Sequence, residues 1–109
     1  MSVFPLRAIF MIEERSEEPT PLRILVSVPK KRFKHAVDRN RMKRQIREAY
    51  RLNKHELWNL AEDSNKIVSI AFICMAEEPV ETAKVAKSIK KILDRISDKF
   101  LLSKNTRHC

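Results

Sequence analysis

The order of apolar patterns along this 109-residue chain predicts an α+β domain of the form β-β-α-β-α, helices packed on one small sheet. Three observations predict it. Runs rich in β-formers lie at 3–12, 22–28 and 67–76; stretches of three- and four-residue apolar spacing lie at 37–60 and 81–102; and the length suits one modest core. In the first run, Val-Phe-Pro-Leu-Arg-Ala-Ile-Phe-Met-Ile, Pro5 is tolerable only near the start or on an edge, because it cannot donate to a ladder. The acidic, twice-proline stretch Glu13 to Pro21 reads as a loop, and Leu22 to Val28 as a second strand closed by Pro29. These two strands are expected to pair antiparallel across that long connection. Lys30 to Ala36 is a basic connector.

From Val37 to Leu60, Met42, Ile46, Ala49, Tyr50, Asn53 and Leu57 share one helical face, with Asp38 placed to cap or to meet the positive helix end. Helicity is expected to falter around Asn53 and again by Asp63 to Asn65. Ile67 to Ala76 is the most apolar strand, ended by Glu77, Glu78 and Pro79. Glu81 to Leu102 forms the last helix, with Val85, Ile89, Ile92, Leu93, Ile96 and Phe100 inside and a flexible tail over 103–109. Residues 1–109 therefore read as a single domain, without repeats or low-complexity segments.

Composition narrows the function. Glycine is absent, so Walker-A loops, dinucleotide fingerprints and glycine-rich phosphate cradles are excluded, since each needs backbone close to phosphate without an intervening Cβ. Cys74 and Cys109 form no disulfide framework, which fits a reduced interior. No run reaches the ~20 apolar residues of a membrane span, and a signal-peptide order is lacking, so the expected setting is cytoplasmic with no membrane partner.

The formal charge of +9 is concentrated. Between residues 30 and 51 stand Lys30, Lys31, Arg32, Lys34, Arg39, Arg41, Lys43, Arg44, Arg47 and Arg51, opposed only by Asp38 and Glu48. Arg39, Lys43 and Arg47 form an i, i+4, i+8 row, with Asn40, Arg44 and Arg51 beside it and Arg41 further round. Like charges at that spacing repel by a few tenths of a kcal/mol per pair (~0.2–0.5). A face that keeps them with little acidic relief is matched to external polyanion, and the arginine fork grips phosphate oxygens in pairs. An ordinary solvated helix face usually mixes its signs.

Protein-borne catalysis finds no support. His35, His55 and His108 are scattered; His55-Glu56 is not the start of His-Glu-x-x-His, because position 59 is Asn; and no ligand pair has zinc spacing. Cys74 reads as buried and inert, while Glu77 and Glu78 end a strand. Expected catalytic and metal residues are none.

The segment Arg39-Asn40-Arg41-Met42-Lys43-Arg44-Gln45-Ile46-Arg47-Glu48-Ala49-Tyr50-Arg51 closely resembles the signature of the protein subunit of bacterial ribonuclease P. Leu25-Val26-Ser27-Val28 with Lys30-Lys31, and Ala36-Val37, are similar to the strand, Lys-Lys pair and Ala-Val that flank that signature. Two departures stand out. Family members begin with a further helix that lines one wall of a cleft, whereas this chain opens at Val3-Phe4, so the resemblance implies an N-terminally shortened form. The family also has a glycine shortly after the Lys-Lys pair, and here Arg32-Phe33-Lys34-His35 fill a connector one residue longer.

The resemblance implies a left-handed β-α-β crossover, against the usual hand. It implies a role in binding the catalytic RNA and the 5′ leader of precursor tRNA, favouring leader removal at moderate Mg²⁺. The RNA does the chemistry, with Mg²⁺ at the RNA and no cofactor on the protein. Carried over by position, Lys30, Lys31, Arg39, Asn40, Arg41, Lys43, Arg44 and Arg47 would contact the catalytic RNA. Asn40 has the alternative of capping the helix start. Phe4, Arg7 and Phe10 are candidates for the leader, since single-stranded bases stack on aromatics and pair with arginine. Phe4 and Phe10 have the alternative of being core, and Tyr50 and Trp58 read as packing residues.

The competing function is a general nucleic-acid-binding module of ribosomal-protein-like type, or a helix that reads a DNA groove. A basic helix lying on anionic membrane is weaker, because the apolar stripe is needed for the core.

Overall fold

In the computed structural model the described residues are 1–14, 20–31 and 33–107, with side chains described only to residue 101. The elements are β1 (Ser2–Val3), β2 (Leu6–Glu14), β3 (Leu22–Ser27), α1 (Ala36–Asn53), α2 (His55–Asp63), β4 (Lys66–Cys74) and α3 (Thr82–Arg107). The α+β reading holds. The sheet is mixed, in the order β1-β2-β4-β3.

Two expectations are corrected. The run 3–12 is not one strand: it breaks at the cis Phe4–Pro5 peptide into β1 and β2, which pair antiparallel through Val3 and Leu6. Proline supplies no ladder N–H, so the chain turns there, and the Pro5 carbonyl instead accepts from the Met75 N–H at 2.8 Å. Nor do the two long early strands pair with each other. β4 lies between them, antiparallel to β2 and parallel to β3. A parallel neighbour requires a crossover, which α1 and α2 supply. β4 takes the centre because it is apolar on both sides: Val68, Ile70, Phe72 and Cys74 are buried against the helices, while Ala71 and Ile73 are half-buried on the other face.

The register aligns the inner rows. Leu6 faces Cys74, Ala8 faces Phe72 and Ile70 faces Ile24, and these pack on Met42, Ile46, Leu57, Ile89, Ile92 and Ile96 from the helices. The expected faltering at Asn53 is a break between α1 and α2 at Lys54, whose ammonium lies 4.8 Å from the Trp58 ring and 5.9 Å from Tyr50. The Asn53 side-chain amide donates back to the Ala49 carbonyl one turn earlier at 2.8 Å. In a chain without glycine, the sharp turn into β4 falls to Asn65 at φ 55°, the left-handed region that asparagine tolerates best after glycine.

The last helix runs past its expected end at Leu102. The flexible tail expected over 103–109 concerns residues 108–109, which lie outside the described residues, and a stretch of which only the helical backbone is described. Among the described residues no helix is long and apolar enough to cross a membrane.

Candidate nucleic-acid interface

The core dictates the orientation of α1. Met42 and Ile46 are fully buried, with Ala49 and Tyr50 nearly so, and these positions at 3.6-residue spacing drive the intervening ones outward. Arg41, Arg44 and Arg47 are exposed, and Lys43 is half-buried. Asn40 is also exposed. It is the fifth residue of the helix, which rules out the alternative of a cap; His35 holds the N-cap position and makes no side-chain cap bond.

Arg39 behaves differently from its neighbours. Its Nη1 donates to the Phe33 carbonyl at 2.7 Å and to the Lys34 carbonyl at 3.2 Å. Phe33 is itself buried in the core, and its N–H donates to the Pro29 carbonyl at 3.2 Å. The connector that carries no glycine is therefore held by a buried aromatic plug and an arginine clasp. This ties the loop that carries the exposed Lys30 and Lys31 to the start of α1. Arg32 lies outside the described residues.

Arg51, at the far end of the basic row, is spoken for. Its guanidinium meets the Glu48 carboxylate at 2.5 and 3.2 Å, which holds that carboxyl below its ordinary value and the guanidinium above its own. Burial pushes the Tyr50 phenol up to about 12, so it stays neutral as a packing group, its ring 6.2 Å from Phe72. Trp58 is half-buried against the same cluster, and Cys74 is buried, both as the sequence suggests.

The candidates in the first strand separate. Arg7 is exposed on the side of the sheet that no helix covers among the described residues; Phe4 is 68% exposed in the turn between β1 and β2, against the alternative of a core role. Phe10 points the other way, half-buried on the helix side with the Lys99 ammonium 5.6 Å from its ring. Odd and even residues of a strand face opposite ways, so Arg7 and Phe10 cannot serve one ligand together.

The open side of the sheet also carries residues that the sequence reading missed. The rows Arg7–Ile73–Ser27, Ile9–Ala71–Leu25 and Met11–Ser69–Arg23 run across β2, β4 and β3. Ile9, Met11 and Leu25 are 55%, 58% and 65% exposed, an apolar floor edged by Arg7 and Arg23. Alternation within each strand was the available signal; what hid the floor was the strand order, which places these residues side by side. Among the described residues no group of three or more His, Cys, Asp or Glu could hold a metal ion.

The sequence model of the Ribonuclease P family matches residues 5–97. The chain is 41% identical over 97 residues to the ribonuclease P protein component of Porphyromonas gingivalis, covering 87% of this chain and 69% of that one. It is 50% identical over 60 residues to the ribonuclease P protein component of Chlorobaculum tepidum, 51% of this chain and 39% of that one. Identity to the Idiomarina loihiensis component is 66% over 35 residues, 32% of this chain and 28% of that one. No solved structure matches the chain. With an exposed arginine face on α1, a clasped basic loop and a family match across nearly the whole fold, the chain belongs to the Ribonuclease P protein family.

Proposed function

We propose that this chain is the RNA-binding protein subunit of ribonuclease P, assisting the catalytic RNA in removing the 5′ leader of precursor tRNA. One observation carries the reading: Arg41, Arg44 and Arg47 project from a helix whose other face is locked in the core, and among the described residues they make no ion pair. Cations that lack a partner at home and cannot turn inward are placed for phosphates outside. Lys43 and Asn40 extend that face, Lys30 and Lys31 continue it, and Arg39 ties the loop to the helix.

The leader lies in this reading across the uncovered side of the sheet. There the apolar floor of Ile9, Met11 and Leu25 meets unstacked bases, and Arg7 and Arg23 meet the backbone. Phe4 stands at one end of that path, and Phe10 drops out of it. Mg²⁺ belongs with the RNA phosphates, and the complex works in the cytoplasm. Family membership disfavours the general nucleic-acid module.

The test is cleavage of a precursor tRNA by the catalytic RNA at low Mg²⁺, with and without the protein. Stimulation is expected, and it should vanish with R41A/R44A. Absence of stimulation by the unaltered protein overturns the reading.

A further inference from the structure

The remainder of the chain outside the 30–51 window sums to nearly zero charge, which conceals a second segregation. Between Thr82 and Leu101, α3 carries Lys84, Lys87, Lys90, Lys91, Arg95 and Lys99 against Asp94 and Asp98 alone. Lys87, Lys91, Arg95 and Lys99 form an unbroken i, i+4 row, all exposed. Such a row repels itself, and among the described residues no ion pair joins any of its members to a carboxylate. Asp94 and Asp98 fall on the neighbouring row with Lys90, and among the described residues they too make no ion pair.

Two contacts fix where this row points. The Ser88 hydroxyl donates to the Val3 carbonyl, and Lys99 lies over the Phe10 ring at 5.6 Å. At 3.6 residues per turn, Ser88, Lys91, Arg95 and Lys99 fall within about a quarter of the helix circumference. That flank therefore runs along β1 and β2, and Lys99 is held there by its aromatic partner rather than swinging freely.

We propose that this flank of α3, Lys91, Arg95 and Lys99 with Lys87 at its edge, is a second RNA-backbone surface that acts alongside the arginines of α1. The proposal rests on the chain being an RNA-binding subunit. A continuous row of cations with no acidic residue within it suits a uniformly anionic partner. A membrane surface is disfavoured because Leu101 is the large apolar side chain exposed among the described side chains of α3, too little to anchor it. The other end of the helix sets the limit of the surface. Lys84 lines a cleft of about 570 Å³ together with Phe4, Glu77, Glu78 and Glu81, whose carboxylates repel phosphate, so contact is confined to the turns from Lys87 onward.

The experiment compares K91A/R95A/K99A with R41A/R44A, each against the unaltered protein, in binding to two probes over a salt series. One probe is the catalytic RNA and the other a leader-bearing precursor tRNA, so the arms tell which RNA supplies the phosphates. The α3 variant should keep its melting temperature and weaken binding to at least one probe tenfold or more. Its log–log salt slope should fall by roughly 2 to 3, at ~0.7–0.9 per lost phosphate contact. K91R/K99R should retain binding.

Unchanged affinity and slope for both probes, while R41A/R44A weakens binding, would overturn the α3 surface and leave the subunit reading standing. Weakening by the α3 variant alone supports this surface and counts against the α1 assignment. Should neither variant matter, both fail. A loss of adsorption to anionic phospholipid vesicles with RNA binding intact would also overturn it. If the alanine variant melts lower, the same readout is taken from K91Q/R95Q/K99Q.

Discussion

Helices α1 and α3 bury apolar stripes of the same kind, yet they dress their outer faces differently. Within Ala36–Asn53 there are five arginines and one lysine, and within Thr82–Leu101 five lysines and one arginine. Arginine offers a rigid fork that meets phosphate oxygens in pairs, whereas lysine is a hydrated point charge on a mobile stem. On α1 two of the arginines are also committed inside the protein, Arg39 to the loop carbonyls and Arg51 to Glu48. Along the row on α3, Lys99 over Phe10 is the single such commitment among the described side chains. On the proposed reading the difference teaches that α1 serves position and α3 serves field: one surface would fix a register, the other add attraction with looser geometry.

The largest expected effect tests what the two helices share. Ile46→Asp in α1 and Ile89→Asp in α3 should each unfold the domain, since both side chains are fully buried. An unpaired buried charge costs about 3–5 kcal/mol, against a total stability of roughly 5–15 kcal/mol for a domain. Circular dichroism melts decide it, and a variant that melts normally would break the assignment of that face.

R41A/R44A comes next. Affinity for the catalytic RNA should drop while the melt stays put, and the salt slope should fall by roughly 1.4–1.8. A lowered melting temperature with unchanged binding would make these arginines structural.

Arg39→Ala sharpens the contrast, because it should move both readouts. Loss of its bonds to Phe33 and Lys34 costs about 1 kcal/mol of stability. RNA binding should weaken as the Lys30–Lys31 loop loses its clasp. A variant that weakens binding without any change in the melt would show the clasp to be irrelevant.

Glu48→Gln is the smallest. The Arg51 hydrogen bond lowers the folded pKa of Glu48 below its ordinary 4.5. Its stabilising contribution is therefore present above that ordinary value and is lost as pH falls through the lower folded one. The unaltered protein should lose slightly more stability than the variant between neutral and acid pH in paired melts. The variant also releases Arg51, so RNA affinity at neutral pH should rise modestly; an unchanged value would place Arg51 off the interface.

Most elements were legible because each follows from a local rule. Spacing marked Met42, Ile46 and Ala49 as the inner face of α1, and the one-signed arginine run stood out without any fold. The role of Arg39 was not legible, since its partners are backbone carbonyls of a loop whose path depends on Phe33 finding the core. The split at Pro5 followed from a rule already in view, though its consequence, an exposed Phe4, depended on where the short first strand pairs. Phe10 and Arg7 could have been separated by parity alone.

Pattern and charge thus determined on their own the α+β class, the helices and their buried stripes, and the one-signed exposed surface of α1, because these depend on residues within a few turns of one another. Tertiary structure alone decided that β4 lies between β2 and β3, that Ile9, Ala71 and Leu25 form one row, and that Lys99 lies over Phe10. Strand order is set by which apolar faces bury most when brought together across the whole chain. That competition leaves no trace in any short window of sequence.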